Sequence, residues 1–186
     1  MEFAADPWDY LAASEAVDIE HELIVSLAAE LRTGDDLTYA RLAFEHVRDK
    51  VTHSMDTGDP RVTWRASDVL EQRTGLCYAQ AHALTALLRA GGIQAGLCYQ
   101  RLSEDGTFFL HGLVATLIDD RWVRLDPRSP TTEFSASEDR LAYTPDPSRG
   151  ESDGNTIHAE PLPAVLEALK TTTNTLTMKL PDAALS

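Results

Sequence analysis

The sequence predicts an α+β fold in which several helices precede an antiparallel sheet. Three observations indicate this fold class. Apolar residues recur with helical spacing through the first third of the chain, an alanine-rich run occupies residues 77–90, and three strand-like segments follow within residues 94–126. Because only short turns separate these segments, neighbouring strands are expected to pair antiparallel.

The N-terminal third is predicted to form two amphipathic helices and the start of a shorter third helix. Over residues 14–32, apolar side chains recur at every fourth position, with acidic residues on the opposite side. The TGDD run at residues 33–36 is expected to end this helix and to cap the next, which continues to about Val51. The third helix is expected to begin with Ser67 or Asp68 near its cap.

The centre of the chain predicts one long helix followed by a meander of strands. Residues 77–90 form an alanine-rich helical run, and Gly91-Gly92 is a typical helix ending. So many small side chains indicate close packing on several sides, as for a central helix. The predicted strands cover residues 94–102, 108–118 and 121–126.

The pattern weakens after this meander, where prolines and glycines indicate a long surface segment. One more helix is predicted over residues 162–170, with prolines at its first turn. The chain shows no internal repeat and no strong linker. We therefore expect a single domain over residues 1–186, with the candidate motifs within residues 66–128 and a C-terminal extension over residues 131–186 that carries one helix.

Composition excludes several classes of protein. The 186 residues include 43% hydrophobic residues, and the formal net charge is −14, which disfavours nucleic acid and anionic membrane surfaces as partners. No apolar run approaches the roughly 20 residues of a membrane span, and the acidic start lacks the basic region of a secretory signal. The two cysteines are too few for a disulfide framework and lack zinc-site spacing. We therefore expect a cytoplasmic protein that needs no metal or cofactor.

Three residues have the local context of a nucleophilic site. Cys77 begins the predicted central helix, where the helix dipole and free backbone N–H groups favour a thiolate and could hold an oxyanion. His111 lies within a predicted strand, and Asp126 ends the next one. A thiol, an imidazole and a carboxylate together suit covalent attack on a carbonyl carbon.

The hairpin register brings the histidine and the aspartate to one face of the sheet. If Asp119-Asp120 forms a two-residue turn, Ile118 lies opposite Arg121. Asp126 is then a diagonal neighbour of His111, at a spacing of about 7–8 Å between backbones that permits a hydrogen bond. A slip of one residue would place the two side chains on opposite faces.

Four segments resemble the motifs of the transglutaminase-like superfamily, in the order that its bacterial members have. These segments are Gly75-Leu76-Cys77-Tyr78-Ala79, Ala86-Leu87-Leu88-Arg89-Ala90-Gly91-Gly92-Ile93, His111-Gly112-Leu113-Val114 and Trp122-Val123-Arg124-Leu125-Asp126.

The resemblance covers roughly residues 15–130 and implies a papain-like core, with the cysteine helix packed on an antiparallel sheet. It implies that Cys77 is the nucleophile, that His111 is the base and acid, and that Asp126 orients the imidazole. One departure is Gly112-Leu113, since some members have tryptophan shortly after the motif histidine. The chain has no calcium-binding acidic pattern, so the metal dependence of the animal enzymes is not implied.

The expected function is thiol-dependent acyl transfer from a peptide or amide substrate through a thioester. Hydrolysis by a cysteine protease or amidase is favoured, and transglutaminase activity requires that an amine resolve the thioester. Two alternatives stay open: a catalytically inactive binding module that retains the fold, and an arylamine-type acyltransferase with a thioester donor. The sequence does not indicate the oligomeric state.

The sequence also suggests structural or functional roles for several further residues. Cys98 lies among apolar strand residues and is expected to be structural, and His82 points away from the helical face of Cys77. His53 and Trp64 precede the cysteine motif and are candidates for lining a cleft. Gln72 is a candidate side-chain donor to an oxyanion, because related folds place such a donor upstream of the nucleophile.

Overall fold

The computed structural model describes residues 1–185 of the chain. It has six α-helices in these residues. They are α1 (Glu22–Leu31), α2 (Asp36–Lys50), α3 (Ser54–Thr57), α4 (Ala66–Gln72), α5 (Cys77–Ala90) and α6 (Pro163–Thr171). Short 3-10 helices lie at Pro7–Leu11, Pro147–Arg149 and Thr175–Thr177.

Eight strands complete the described part of the chain. They are β1 (Glu2–Phe3), β2 (Thr52–His53), β3 (Thr74–Gly75), β4 (Ala95–Glu104), β5 (Thr107–Ile118), β6 (Arg121–Leu125), β7 (Ser152–Asp153) and β8 (Thr156–Ile157). The main sheet has the order β6-β5-β4-β7 and is antiparallel throughout. Two parallel pairs, β1 with β8 and β2 with β3, lie outside it.

The central helix α5 packs on the sheet with one side and on α1, α2 and α4 with the other. Every residue from Cys77 to Arg89 is buried, and small alanine side chains allow this close approach on several sides. The predicted α+β class with a central cysteine-bearing helix on an antiparallel sheet is confirmed. None of the helices in residues 1–185 combines the length and the apolar character that crossing a membrane requires.

One buried cation holds three parts of the chain against the end of α5. The Arg89 guanidinium donates to the carbonyls of Ala95 at 2.9 Å, Ala12 at 2.7 Å and Ala159 at 2.7 Å. At Ala95 and Ala159, which are buried, these bonds satisfy backbone oxygens that would otherwise be cut off from water. They connect the N-terminal segment, the sheet and the segment that precedes α6.

The first predicted helix was too long. Helix α1 begins at Glu22, with His21 as its N-cap, rather than near residue 14. The preceding residues are instead bound to the start of α4, where the Asp18 carboxylate accepts from the Ser67 backbone N–H at 3.1 Å. This contact also corrects the expected cap of α4: Arg65 occupies the N-cap position and forms no side-chain cap bond. The first N–H groups of a helix have no partner within the helix, and here the carboxylate of Asp18, far away in the sequence, accepts from one of them.

The region after β6 contributes more than the one predicted helix. Strand β7 adds to the edge of the main sheet, and β8 pairs with the N-terminal strand β1. Helix α6 buries Val165 and Leu169 in the main hydrophobic core. The expectation of a single domain with an extension stays a prediction, although the extension packs on the same core as the helices.

Candidate active site

Cys77 is the first residue of α5, and the short strand β3 leads directly into it. A side chain at Gly75 would place a Cβ 2.9 Å from Ala79 Cβ and 3.1 Å from Thr63 Oγ1, so only glycine lets the strand end so close to the helix. The N-cap residue Leu76 forms no side-chain cap bond. The thiol is therefore carried by the first turn of α5, at the positive end of the helix dipole, where no side-chain cap occupies the free N–H groups.

His111 faces this helix from the middle of β5. The adjacent Gly112 allows the approach, because a Cβ there would lie 3.0 Å from Tyr78 Cδ1 and 3.1 Å from Tyr78 Cα. On the other side of His111, the Leu110 carbonyl accepts a hydrogen bond from the Tyr78 hydroxyl. The strand is thereby fixed to the first turn of α5 at the residues on both sides of His111.

Asp126 lies directly after β6 and is fully buried. The predicted register is confirmed, since Ile118 pairs with Arg121 across a turn whose two aspartates have φ angles of 48° and 60°. Positive φ at both turn residues is typical of the tight type I′ hairpin. His111 Nε2 and Asp126 Oδ2 are 2.8 Å apart.

Two backbone groups hold the Asp126 carboxylate in place. Oδ1 accepts from the Arg128 N–H at 3.1 Å, and Oδ2 accepts from the Ala142 N–H at 2.9 Å. Burial alone would raise the pKa of this carboxyl group, but the charge of His111 and these hydrogen bonds lower it below its ordinary value. Asp126 is therefore a charged acceptor that fixes the ring of His111.

The thiol of Cys77 is acidic for a cysteine. Burial raises its pKa, yet the charge and hydrogen bond of His111, together with a smaller contribution from His53, lower the pKa to about 6. For His111, burial lowers the pKa, but Asp126 and Cys77 outweigh this and raise the pKa to about 10. These opposite shifts favour a thiolate beside an imidazolium near neutral pH.

A cleft of about 590 Å³ opens over these groups. Its lining is contributed by α3, the start of α5, the β4–β5 hairpin and the segment after β6. Tyr143 of that segment packs edge-on to the His111 ring, with centroids 5.0 Å apart. Arg128 and Asp56 also line the cleft and form a two-bond ion pair at 2.7 and 2.9 Å. Sequence reasoning missed Tyr143, because nothing periodic marks the segment that carries it.

The other residues considered from sequence have distinct surroundings. Cys98 is buried in β4, and burial raises the pKa of its thiol to about 12. His82 is fully buried, and its Nδ1 lies 2.8 Å from the Trp64 carbonyl. Gln72 ends α4 and is not among the residues that line the cleft. His53 does line the cleft, whereas Trp64 does not: its ring packs against Arg65 instead.

Comparison with known proteins identifies the family of this chain. The sequence profile of the transglutaminase-like superfamily matches residues 25–127, which is more than half of the chain. The protein belongs to the transglutaminase-like superfamily. A search of curated proteins gave no match.

Solved structures similar to this chain have low sequence identity to it. A proposed cysteine protease from Cytophaga hutchinsonii has a TM-score of 0.55 and 19% identity, over 67% of this chain and 43% of that one. The periplasmic domain of TgpA from Pseudomonas aeruginosa has a TM-score of 0.49 and 23% identity, over 67% of this chain and 50% of that one. The chain thus corresponds to half or less of each of these proteins, and its cytoplasmic location stays a prediction.

Proposed function

We propose that this protein is a cysteine-dependent amide hydrolase, of the peptidase or amidase type, with Cys77, His111 and Asp126 as its catalytic residues. The observation that carries the proposal is the acidic thiol of Cys77 at the start of α5, beside an imidazole that a buried carboxylate holds. Membership of the transglutaminase-like superfamily supports a general cysteine-dependent acyl-transfer or protease-like role. The proposed protease activity of the structural relative from Cytophaga hutchinsonii points the same way.

The proposed reaction has two stages. The Cys77 thiolate attacks the amide carbon, and the electron pair of the carbonyl moves to its oxygen, which the N–H groups at the start of α5 stabilise. The tetrahedral intermediate collapses to a thioester as the His111 imidazolium gives its proton to the leaving amine. His111, now neutral, takes a proton from water, which attacks the thioester and releases the acid. Asp126 orients the ring throughout and stabilises its charged form.

The lining of the cleft disfavours an anionic peptide or amide segment next to the scissile bond, because its arginines are paired and Glu104 and Asp105 add negative charge. The apolar part of the cleft wall consists of Met55, Leu76, Leu102, Phe109, Leu110 and Leu180. Both arginines that line the cleft face carboxylates: Arg128 is bound to Asp56, and Arg149 lies 3.5 Å from Glu151. Paired guanidinium groups are poor sites for the phosphates of a coenzyme A donor. This disfavours the arylamine-type acyltransferase.

The acceptor decides between hydrolysis and transglutamination. Water reaches any open cleft, whereas an amine needs a binding position beside the thioester. We therefore assign hydrolysis as the main reaction, with transfer to an amine as a side reaction when a primary amine is abundant.

The proposal is tested by trapping the thioester. The protein is mixed with p-nitrophenyl acetate, quenched in acid and digested for mass spectrometry, in parallel with the Cys77→Ala and Cys98→Ala variants. We expect an acetyl group on Cys77 in the wild type and in Cys98→Ala. Adding dansylcadaverine measures how the thioester partitions between water and amine. Equal turnover by Cys77→Ala and the wild type would overturn the proposal and favour the inactive binding module.

A further inference from the structure

A second histidine, His53, lies next to the candidate nucleophile. It belongs to β2, which pairs parallel with β3 so that His53 is opposite Gly75, two residues before Cys77. Its side chain is only 10% exposed and lines the same cleft as Cys77 and His111. The hydrogen bond and charge of His53 also contribute to the low pKa of the Cys77 thiol.

The two ring nitrogens of His53 have different surroundings. Nδ1 lies 3.4 Å from Asp56 Oδ1 and is buried without a hydrogen-bond partner among the described residues. Because Nδ1 has no hydrogen-bond partner in the described part of the chain, the interaction of His53 with the Cys77 thiol is assigned to Nε2. Asp56 itself accepts two hydrogen bonds from Arg128, which neutralises most of its charge.

Cys77 thus interacts with two imidazoles that differ in their carboxylate partners. Asp126 is fully buried and bonds His111 at 2.8 Å, which suits a ring that cycles between charged and neutral forms. Asp56 lines the cleft, is half exposed, and accepts two hydrogen bonds from Arg128 at 2.7 and 2.9 Å, whereas its contact with His53 is longer, at 3.4 Å. The two histidines therefore have different roles, and only His111 is equipped as the base.

We propose that His53 is a catalytic residue that donates a hydrogen bond from its ring to the oxyanion formed when Cys77 attacks a carbonyl. The inference rests on the proposed function. As the S–C bond forms, the negative charge leaves the sulfur for the carbonyl oxygen. The hydrogen bond from the His53 N–H then changes its acceptor from the sulfur to that oxygen. The backbone N–H of Cys77 donates a second hydrogen bond to the same oxygen. When the C–N bond breaks, the electron pair returns to the carbonyl and the proton of His111 goes to the amine.

The test compares two reactions of the same thiol at one pH. Iodoacetamide alkylates Cys77 without forming an oxyanion, whereas p-nitrophenyl acetate acylates it through one. The ratio of the two rate constants therefore reports oxyanion stabilisation after correction for the amount of thiolate. We expect His53→Ala to lower the acylation-to-alkylation ratio about 10²-fold.

Two further variants control for structural effects. His53→Gln keeps a neutral N–H donor of similar reach, and we expect it to restore most of the lost ratio. His46→Gln replaces a half-buried histidine of α2 that does not line the cleft, and it should leave the ratio unchanged. Thermal unfolding of each variant confirms that the fold is intact.

The failures of the two proposals are distinguishable. If His53→Ala lowers acylation and alkylation equally, His53 only ionises the thiol, and its role as an oxyanion donor is overturned while Cys77 stays the nucleophile. If the wild-type Cys77 is alkylated but never acylated, the acyl-transfer function itself is contradicted, and the role of His53 fails with it.

Discussion

The Nε2 atom of His111 lies 2.8 Å from Oδ2 of Asp126, and the two side chains are 2% and 0% exposed. Because this contact uses Nε2, the Nδ1 atom of the ring is left to face Cys77. His111 lies in β5 and Asp126 directly follows β6, and a turn of two aspartates joins these two strands into one hairpin. A short local structure thus supplies both the acid–base group and the group that orients it.

The Asp126→Asn variant is expected to lose most amide hydrolysis, on the order of 10⁴-fold in kcat. The asparagine keeps the shape of the side chain but removes the charge that raises the pKa of His111. With less imidazolium beside it, the Cys77 thiol should also need a higher pH to ionise. Steady-state kinetics and alkylation rates measure the two effects.

The matched control is Asp139→Asn, which removes a carboxylate bound to Arg124 at 2.7 Å outside the cleft. We expect it to retain hydrolysis and thiol acidity. Full activity of Asp126→Asn with unchanged alkylation would contradict the assigned role of the carboxylate.

Amide hydrolysis is expected to show a bell-shaped pH profile with limbs near pH 6 and pH 10. The pKa of Cys77 falls from 9.0 to about 6 on folding, so the thiolate is lost as the pH falls through 6. The pKa of His111 rises from 6.5 to about 10, so the imidazolium is lost as the pH rises through 10. The two values belong to the interacting pair, which is intact between these limits.

The pH profile also separates attack by the Cys77 thiolate from proton donation by the His111 imidazolium. An activated ester, whose leaving group needs no proton, should lose the alkaline limb and keep the acid limb. The measurement is kcat/KM against pH for one amide and one p-nitrophenyl ester. An acid limb near the pKa of an ordinary thiol, about 8.5, would contradict the ion pair.

Gly112→Ala is expected to impair both stability and thiol reactivity. The new Cβ would lie 3.0–3.1 Å from the backbone and ring of Tyr78, which forces β5 away from the first turn of α5. Such overpacking costs about 1–3 kcal/mol, and here the movement also separates His111 from Cys77. Denaturant unfolding and alkylation rates measure the two losses.

Gly92→Ala provides the control for Gly112→Ala. Gly92 has a φ of 83° and open space where a Cβ would be, at the far end of α5. The alanine there should cost about 1 kcal/mol of stability through backbone strain alone and leave alkylation of Cys77 unchanged. If both variants lose stability but neither loses thiol reactivity, Gly112 does not position His111.

The sequence predicted the elements that have strong local signals. The central helix begins at Cys77 as expected from the glycine before it and the alanines within it, and the strand register follows from the Asp119-Asp120 turn. Turn chemistry and hydrophobic alternation are properties of neighbouring residues. These signals were sufficient to place His111 and Asp126 on one face of the sheet.

Contacts between distant segments were not predictable from a single sequence. The first helix begins late because Asp18 binds the start of α4, a partner 49 positions away. Tyr143 and Glu151 reach the cleft from a region without periodicity. The position of His53 beside Cys77 depends on the pairing of β2 with β3, and two-residue strands leave no pattern in the sequence.

The most direct test of the account is iodoacetamide labelling of the native protein as a function of pH, with mass spectrometry to locate the adducts. We predict that Cys77 labels with a midpoint near pH 6 and that Cys98, buried with its pKa raised to about 12, does not label. The His111→Ala variant should move the midpoint of Cys77 toward that of an ordinary thiol. Labelling of wild-type Cys77 only at about pH 8.5 or only after unfolding would contradict the thiolate–imidazolium pair.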